Sequence, residues 1–109
     1  EVHGKGTSNL QYIRRIMEIA DHPYVGVCWN SNPTDVINGS VKETFSLVKE
    51  WIRSVHIREL YDETYPWHEL FDLLKASGYD RYCLAEIPES KEPKRLMRYY
   101  HALFHELAR

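Results

Sequence analysis

The sequence alternates between short segments with the two-residue period of a β-strand and longer segments with the periodicity of an α-helix. The strand pattern is clearest in residues 53–59, where Val55 and Ile57 share one face. His56 and Arg58 lie on the opposite face. Strands separated by helices are typical of parallel pairing, because the helix returns the chain to the edge where the previous strand began.

This alternation predicts an α/β fold. The predicted strands are residues 1–3, 24–30, 53–59 and 82–87, and the predicted helices lie at about 10–21, 41–52, 66–77 and 93–107. Four βα units are half of an eight-stranded barrel, so we expect residues 1–109 to form the C-terminal half of a TIM (β/α)8 barrel. Because the sequence begins at Glu1, inside an apparent strand, we expect a longer chain that supplies the N-terminal half.

An open flavodoxin-like sheet is the alternative to a barrel. Strands buried between two helical layers are normally apolar on both faces. Here the second predicted strand carries Gly26 and Cys28 on one face, and small residues suit a crowded barrel interior. A half barrel also has unpaired edges, so association between copies of the chain is expected.

Composition excludes several functional classes. The hydrophobic content of 43% is that of a globular protein, and a net charge of −2 does not favour nucleic acid as a partner. No apolar run reaches the ~18 residues of a membrane span. Cys28 and Cys83 are predicted to be free thiols on opposite sheet faces, which favours a cytoplasmic protein.

Each predicted strand carries a polar side chain at or near its carboxyl end. These residues are Glu1, Asn30, His56 and Glu86. The carboxyl ends of parallel strands meet at one edge of a sheet, so we expect these side chains to converge. Carboxylate, amide and imidazole groups together predict a site for one divalent ion, namely Mn²⁺, Mg²⁺, Co²⁺ or Zn²⁺.

The sequence resembles the C-terminal half of the sugar phosphate isomerase/epimerase family, the xylose isomerase-like TIM barrels. The matching segments are residues 1–3, 25–30, 54–57, 65–67, 69–71, 78–79 and 84–86. The resemblance implies that Glu1 and Glu86 are both metal ligands and the catalytic acid/base pair, that His56 is a ligand, and that His3 contacts substrate. Asn30 stands where the family has an aspartate, so the resemblance implies a site with one negative charge fewer.

Two further residues are candidates for substrate binding, and each has a second interpretation. Arg58 shares the face of His56, where it can pair with a substrate phosphate or form a salt bridge with Glu1 or Glu86. Trp67 can stack on a sugar ring or belong to the core.

His101 and His105 lie four residues apart on the last helix. This spacing allows metal binding but is more typical of a solvated helix face.

Two functional hypotheses follow. The first is a metal-dependent isomerase or epimerase that moves a proton next to the carbonyl of a sugar, sugar phosphate or polyol through an enediolate. The second is a non-catalytic sugar-binding barrel with a degenerate metal site, which the neutral Asn30 favours. In both hypotheses the partner is a small carbohydrate, with neither nucleic acid nor membrane involved.

Overall fold

The computed structural model, which describes all 109 residues, contains four α-helices and a three-stranded parallel sheet. In chain order the elements are α1 (Leu10–Ala20), β1 (Val27–Trp29), α2 (Lys42–Val48), β2 (Ile52–Ile57), α3 (Trp67–Ala76), β3 (Cys83–Ala85) and α4 (Pro93–Leu107). Short 3₁₀ turns occupy Pro33–Asp35 and Lys49–Trp51. Strand β2 lies between β1 and β3, so the carboxyl ends of all three strands meet at one edge.

The prediction of four βα units, and therefore of half a TIM barrel, was wrong. Residues 1–3 do not form a strand, although the Val2 amide donates one hydrogen bond to the Cys28 carbonyl at 3.1 Å. The chain then turns at Gly4, whose φ is +86°, a conformation that glycine adopts without strain. One hydrogen bond followed by a turn does not make a ladder, and the α/β class is what the structure supports.

The alternation in β2 determines which face of the sheet is buried. Val55 and Ile57 are 0% and 2% exposed and belong to a core cluster of 19 buried hydrophobic residues. Helices supply other members of this cluster, including Met17 from α1, Phe45 from α2 and Leu70 from α3. The opposite face is open, and Leu84 of β3 remains 48% exposed there.

Hydrogen bonds from helical side chains connect the helices to neighbouring segments of the chain. The Glu69 carboxylate of α3 accepts hydrogen bonds from the Val41 amide at 2.8 Å and from the Ser40 hydroxyl at 2.9 Å, which connects α3 to the start of α2. The Tyr100 hydroxyl of α4 donates to the Arg58 carbonyl at 2.6 Å. This last bond fixes the backbone just beyond β2.

Both cysteines are free thiols, as expected from their positions. None of the helices combines the length and the apolar character required to cross a bilayer.

Candidate functional site

Side chains from the carboxyl edge of the sheet meet in one cluster, which we call the edge cluster: Glu1, Asn30, His56 and Glu86. Asn30 follows β1 directly and His56 lies in β2. Glu86 follows β3, and its amide donates to the Ile57 carbonyl at 2.9 Å. Glu1 is held beside them by the Val2–Cys28 hydrogen bond. The four predicted metal ligands therefore lie together, although only three strands carry them.

The ligand atoms of the edge cluster are close to one another. His56 Nδ1 lies 3.6 Å from Glu1 Oε1, 3.4 Å from Glu86 Oε2 and 3.2 Å from Asn30 Oδ1. Asn30 Oδ1 also lies 3.0 Å from Glu86 Oε2 and 3.2 Å from Glu1 Oε1. The one possible proton donor among these atoms is the imidazole, because the other three are carboxylate and amide oxygens.

This arrangement fits a divalent ion. Neighbouring ligands of a six-coordinate ion with bonds of about 2.1 Å lie about 3.0 Å apart. The separations that involve His56 Nδ1 or the Asn30 amide run from 3.0 to 3.6 Å, and the ligand atoms of Glu1, His56 and Glu86 all lie within 4.8 Å of one another. Asn30 is only 1% exposed, and its amide can face the two carboxylates in two ways: with its oxygen, which adds a ligand for a cation, or with its NH₂ group, which donates to both carboxylates. Glu1 and Glu86 are 41% and 48% exposed, so the cluster is open to solvent on one side.

A loop after β1 holds the Asn30 amide. Its Nδ2 donates to Asn32 Oδ1 at 3.0 Å, and Asn32 Nδ2 donates to the Val2 carbonyl at 2.7 Å. Ser31, with a φ of +53°, donates its hydroxyl to the His56 carbonyl at 2.7 Å. Asn30, Ser31 and Asn32 are buried although they are polar turn-forming residues, and the periodicity of the sequence does not reveal this burial.

Asp35 belongs to the same loop and is buried. One of its carboxylate oxygens accepts from the Asn32 amide at 2.7 Å, while the other, Oδ1, has no partner. Burial raises the pKa of Asp35 to about 6, although the Asn32 amide, Tyr65 and Arg58 each act to lower the pKa. The adjacent Tyr65 hydroxyl accepts from Trp29 Nε1 at 3.1 Å, and its pKa is also raised, chiefly by burial.

Arg58 lies at the rim of the edge cluster. Its Nε donates to the Asn30 carbonyl at 3.1 Å, and its Nη2 lies 3.6 Å from Glu86 Oε2. Its side chain remains 38% exposed. Both interpretations of Arg58 are therefore compatible with its position, because it pairs with a rim carboxylate and still faces solvent.

A cavity of about 520 Å³ adjoins the edge cluster and shares Arg58 and Glu86 with it. Its wall also includes Glu59, Asp62 and Trp67. A volume of this size is within the range of small-molecule sites, roughly 300–1,000 Å³. Carboxylates that accept from hydroxyl groups, together with one guanidinium, suit a polar ligand with an anionic group.

Trp67 belongs mainly to the core. It is 4% exposed, its Nε1 donates to the Asp62 carbonyl at 3.1 Å, and its ring packs between Tyr65 and Phe71. Trp67 is also one of the residues that line the cavity.

The remaining histidine candidates lie outside the edge cluster. His3 is exposed, and its side chain makes no hydrogen bond or ion pair with that cluster. His101 and His105 are exposed on α4, with their Nε2 atoms 2.9 Å apart.

Comparisons of the sequence with protein-family models, with curated proteins and with solved structures found no match. The geometry of the edge cluster and its cavity is therefore the basis for a functional assignment.

Proposed function

We propose that the edge cluster binds one divalent ion, and that the protein is an isomerase or epimerase of a sugar, sugar phosphate or related polyol. The observation that supports this proposal is that three further ligand-type atoms lie within 3.6 Å of His56 Nδ1, one of them on the buried Asn30 amide. Mn²⁺, Mg²⁺, Co²⁺ and Zn²⁺ all accept such a mixture of oxygen and nitrogen ligands.

Each glutamate of the edge cluster has one oxygen for the ion and one for the substrate. Glu86 Oε2 and Glu1 Oε1 face His56, which leaves Glu86 Oε1 and Glu1 Oε2 for proton transfer. Glu86 also lines the cavity, whereas Glu1 approaches the cluster from the other side. In the proposed reaction one carboxylate takes the proton from the carbon next to the carbonyl, which leaves an enediolate. Return of a proton to the neighbouring carbon isomerises the sugar, and its return to the opposite face of the same carbon by the other carboxylate epimerises it.

The charge that develops during proton transfer needs stabilisation. The bound ion supplies it by acting as a Lewis acid toward the substrate oxygens. Arg58 faces the same cavity and adds a fixed positive charge, which suits an enediolate oxygen or a substrate phosphate. The acidic Glu59 and Asp62 are placed to accept hydrogen bonds from substrate hydroxyl groups.

A second candidate is a carbohydrate-binding domain that uses the same metal without catalysis. The observation that favours it is Asn30, which contributes an oxygen but no negative charge. We assign the protein to the cytoplasm under either function, because both cysteines are free and part-buried.

Exchange of substrate hydrogen with solvent deuterium tests the enzymatic proposal. The chain is incubated with Mn²⁺ and a panel of ketoses, aldoses and their phosphates in D₂O, and deuterium is measured at the carbon next to the carbonyl. Glu86→Gln should lower exchange by roughly 10²–10⁴-fold, because the amide cannot accept the proton. The control Glu106→Gln changes an exposed carboxylate of α4 that pairs with Arg109 and lines neither the cavity nor the edge cluster, so it should retain exchange.

The outcomes separate the two candidates. Metal binding and sugar binding with no exchange for any panel member would favour the carbohydrate-binding domain. Equal exchange in the wild type and Glu86→Gln would refute the role of Glu86.

A further inference from the structure

A half turn of the Asn30 side-chain amide exchanges its Oδ1 and Nδ2 positions, and each of the two orientations suits a different occupancy of the edge cluster. With Oδ1 toward His56, the amide oxygen meets Glu1 Oε1 and Glu86 Oε2 at 3.2 and 3.0 Å, an arrangement that requires a cation. With Nδ2 in that place, the amide donates to both carboxylates over the same distances. The second orientation therefore suits a cluster without metal.

Two neighbours favour opposite orientations. Asn32 Oδ1 accepts from Asn30 Nδ2 at 3.0 Å only when the Asn30 oxygen faces the edge cluster. Arg58 Nη2 lies 2.9 Å from the amide atom that points away from the edge cluster, and it donates to this atom only when the atom is the oxygen. Asn32 thus selects the metal-accepting orientation, and Arg58 selects the metal-free one.

Asn32 cannot adapt by turning its own amide. Its Nδ2 donates to the Val2 carbonyl at 2.7 Å, so a half turn would place Oδ1 against that carbonyl oxygen. Its backbone amide is held by Asp35 Oδ2 at 2.7 Å. Asn32 is 9% exposed, so water does not readily take the place of these hydrogen-bond partners.

From these contacts we infer that Asn30 is a two-position switch whose amide turns when metal binds, with Asn32 as the positioning residue that holds the metal-accepting state. This inference rests on the metal site of the proposed function. Turning the Asn30 oxygen toward the metal removes the acceptor of Arg58 Nη2. The guanidinium, which lines the cavity, then makes one hydrogen bond fewer to the protein, so metal binding prepares Arg58 for a substrate anion.

A double-mutant cycle with Mn²⁺ titration calorimetry tests the inference. Asn32→Ala removes the acceptor that holds Nδ2 and should weaken Mn²⁺ binding about 3- to 10-fold, the usual effect of one hydrogen bond. In the Asn30→Asp background the same substitution should change affinity by less than about twofold, because a carboxylate presents an oxygen in either orientation. Circular dichroism and melting curves compare the folding of all four chains.

The outcomes are distinguishable from those of the proposed function. Equal weakening by Asn32→Ala in both backgrounds would show that Asn32 only supports the loop, and would overturn the switch while leaving the metal site intact. A folded wild-type chain that binds no Mn²⁺ would refute the metal site and the switch together.

Nuclear magnetic resonance gives a second test that does not depend on a destabilising variant. The Asn30 side-chain NH₂ signals of ¹⁵N-labelled wild-type chain are assigned by their loss in Asn30→Asp. Addition of Zn²⁺, which is diamagnetic, should shift both signals as their partners change from two carboxylates to the Asn32 amide. Unchanged signals in a chain that has bound Zn²⁺ would overturn the inference.

Discussion

Asp35→Asn should stabilise the folded chain at neutral pH and remove part of the pH dependence of its stability. Asp35 is 1% exposed, its Oδ1 has no partner, and burial raises its pKa from 3.8 to about 6. The folded chain therefore binds the proton more tightly than the unfolded chain does. Below pH 3.8 Asp35 is protonated in both the folded and the unfolded chain, so its burial carries no charge penalty. As the pH rises from 3.8 through about 6, the folded chain loses stability because the buried carboxyl must ionise.

The magnitude follows from this change in pKa. At 1.36 kcal/mol per pH unit, a rise from 3.8 to about 6 corresponds to about 3 kcal/mol lost above pH 6. Asparagine keeps an oxygen that accepts from the Asn32 amide but carries no charge, so the variant avoids most of this loss. We expect Asp35→Asn to be about 1–3 kcal/mol more stable than wild type at pH 7.5, and to have no such advantage at pH 4.

Urea unfolding from pH 4 to 8 provides the assay, with the fluorescence of the buried Trp29 as the signal. EDTA in the buffer removes any metal contribution. Asp72→Asn, at a surface carboxylate that is 72% exposed and pairs with Lys75, is the matched control and should leave the pH dependence unchanged. A difference between Asp35→Asn and wild type that stays constant with pH would refute the buried-charge reasoning.

Three shorter predictions follow from individual contacts. Asn30→Asp should tighten Mn²⁺ binding measured by calorimetry, because a carboxylate replaces a neutral ligand; unchanged affinity would show that the side chain is not a ligand. Arg58→Gln should weaken binding of a sugar phosphate more than that of the same unphosphorylated sugar, and equal losses would argue against an anion subsite. Leu70→Ala should destabilise the chain by about 2–5 kcal/mol in urea unfolding, since Leu70 is 0% exposed; a cost below about 1 kcal/mol would contradict its place in the core.

The parts of the fold that were predictable from the sequence are those set by local periodicity. Alternation identified β2 and its buried face, because Val55 and Ile57 meet the helices while His56 does not. Residues 1–3 show the same pattern, but three residues cannot reveal whether a neighbouring strand pairs with them. Strand formation depends on hydrogen bonds to a partner, and only one such bond forms at Val2.

The candidate site was partly predictable for a related reason. Strand order places Asn30, His56 and Glu86 at one edge, so parallel topology alone brings them together. The roles of Asn32 and Asp35 depend on contacts within an irregular loop, where turn-forming residues suit an exposed loop and a buried polar network equally. The burial of Trp67 likewise depends on tertiary packing that periodicity does not specify.

The most direct test of the central claim is the metal content of the wild-type chain and His56→Ala after incubation with Mn²⁺ and gel filtration. Atoms of both glutamates and Asn30 Oδ1 lie within 3.6 Å of His56 Nδ1, so removal of the imidazole takes away the central ligand of the proposed metal site. We expect about one Mn²⁺ per wild-type chain, because the edge cluster is a single ligand set. We expect little Mn²⁺ in His56→Ala and no loss in His68→Ala, a histidine outside the edge cluster. A folded wild-type chain without bound Mn²⁺, or equal metal content in wild type and His56→Ala, would contradict the account.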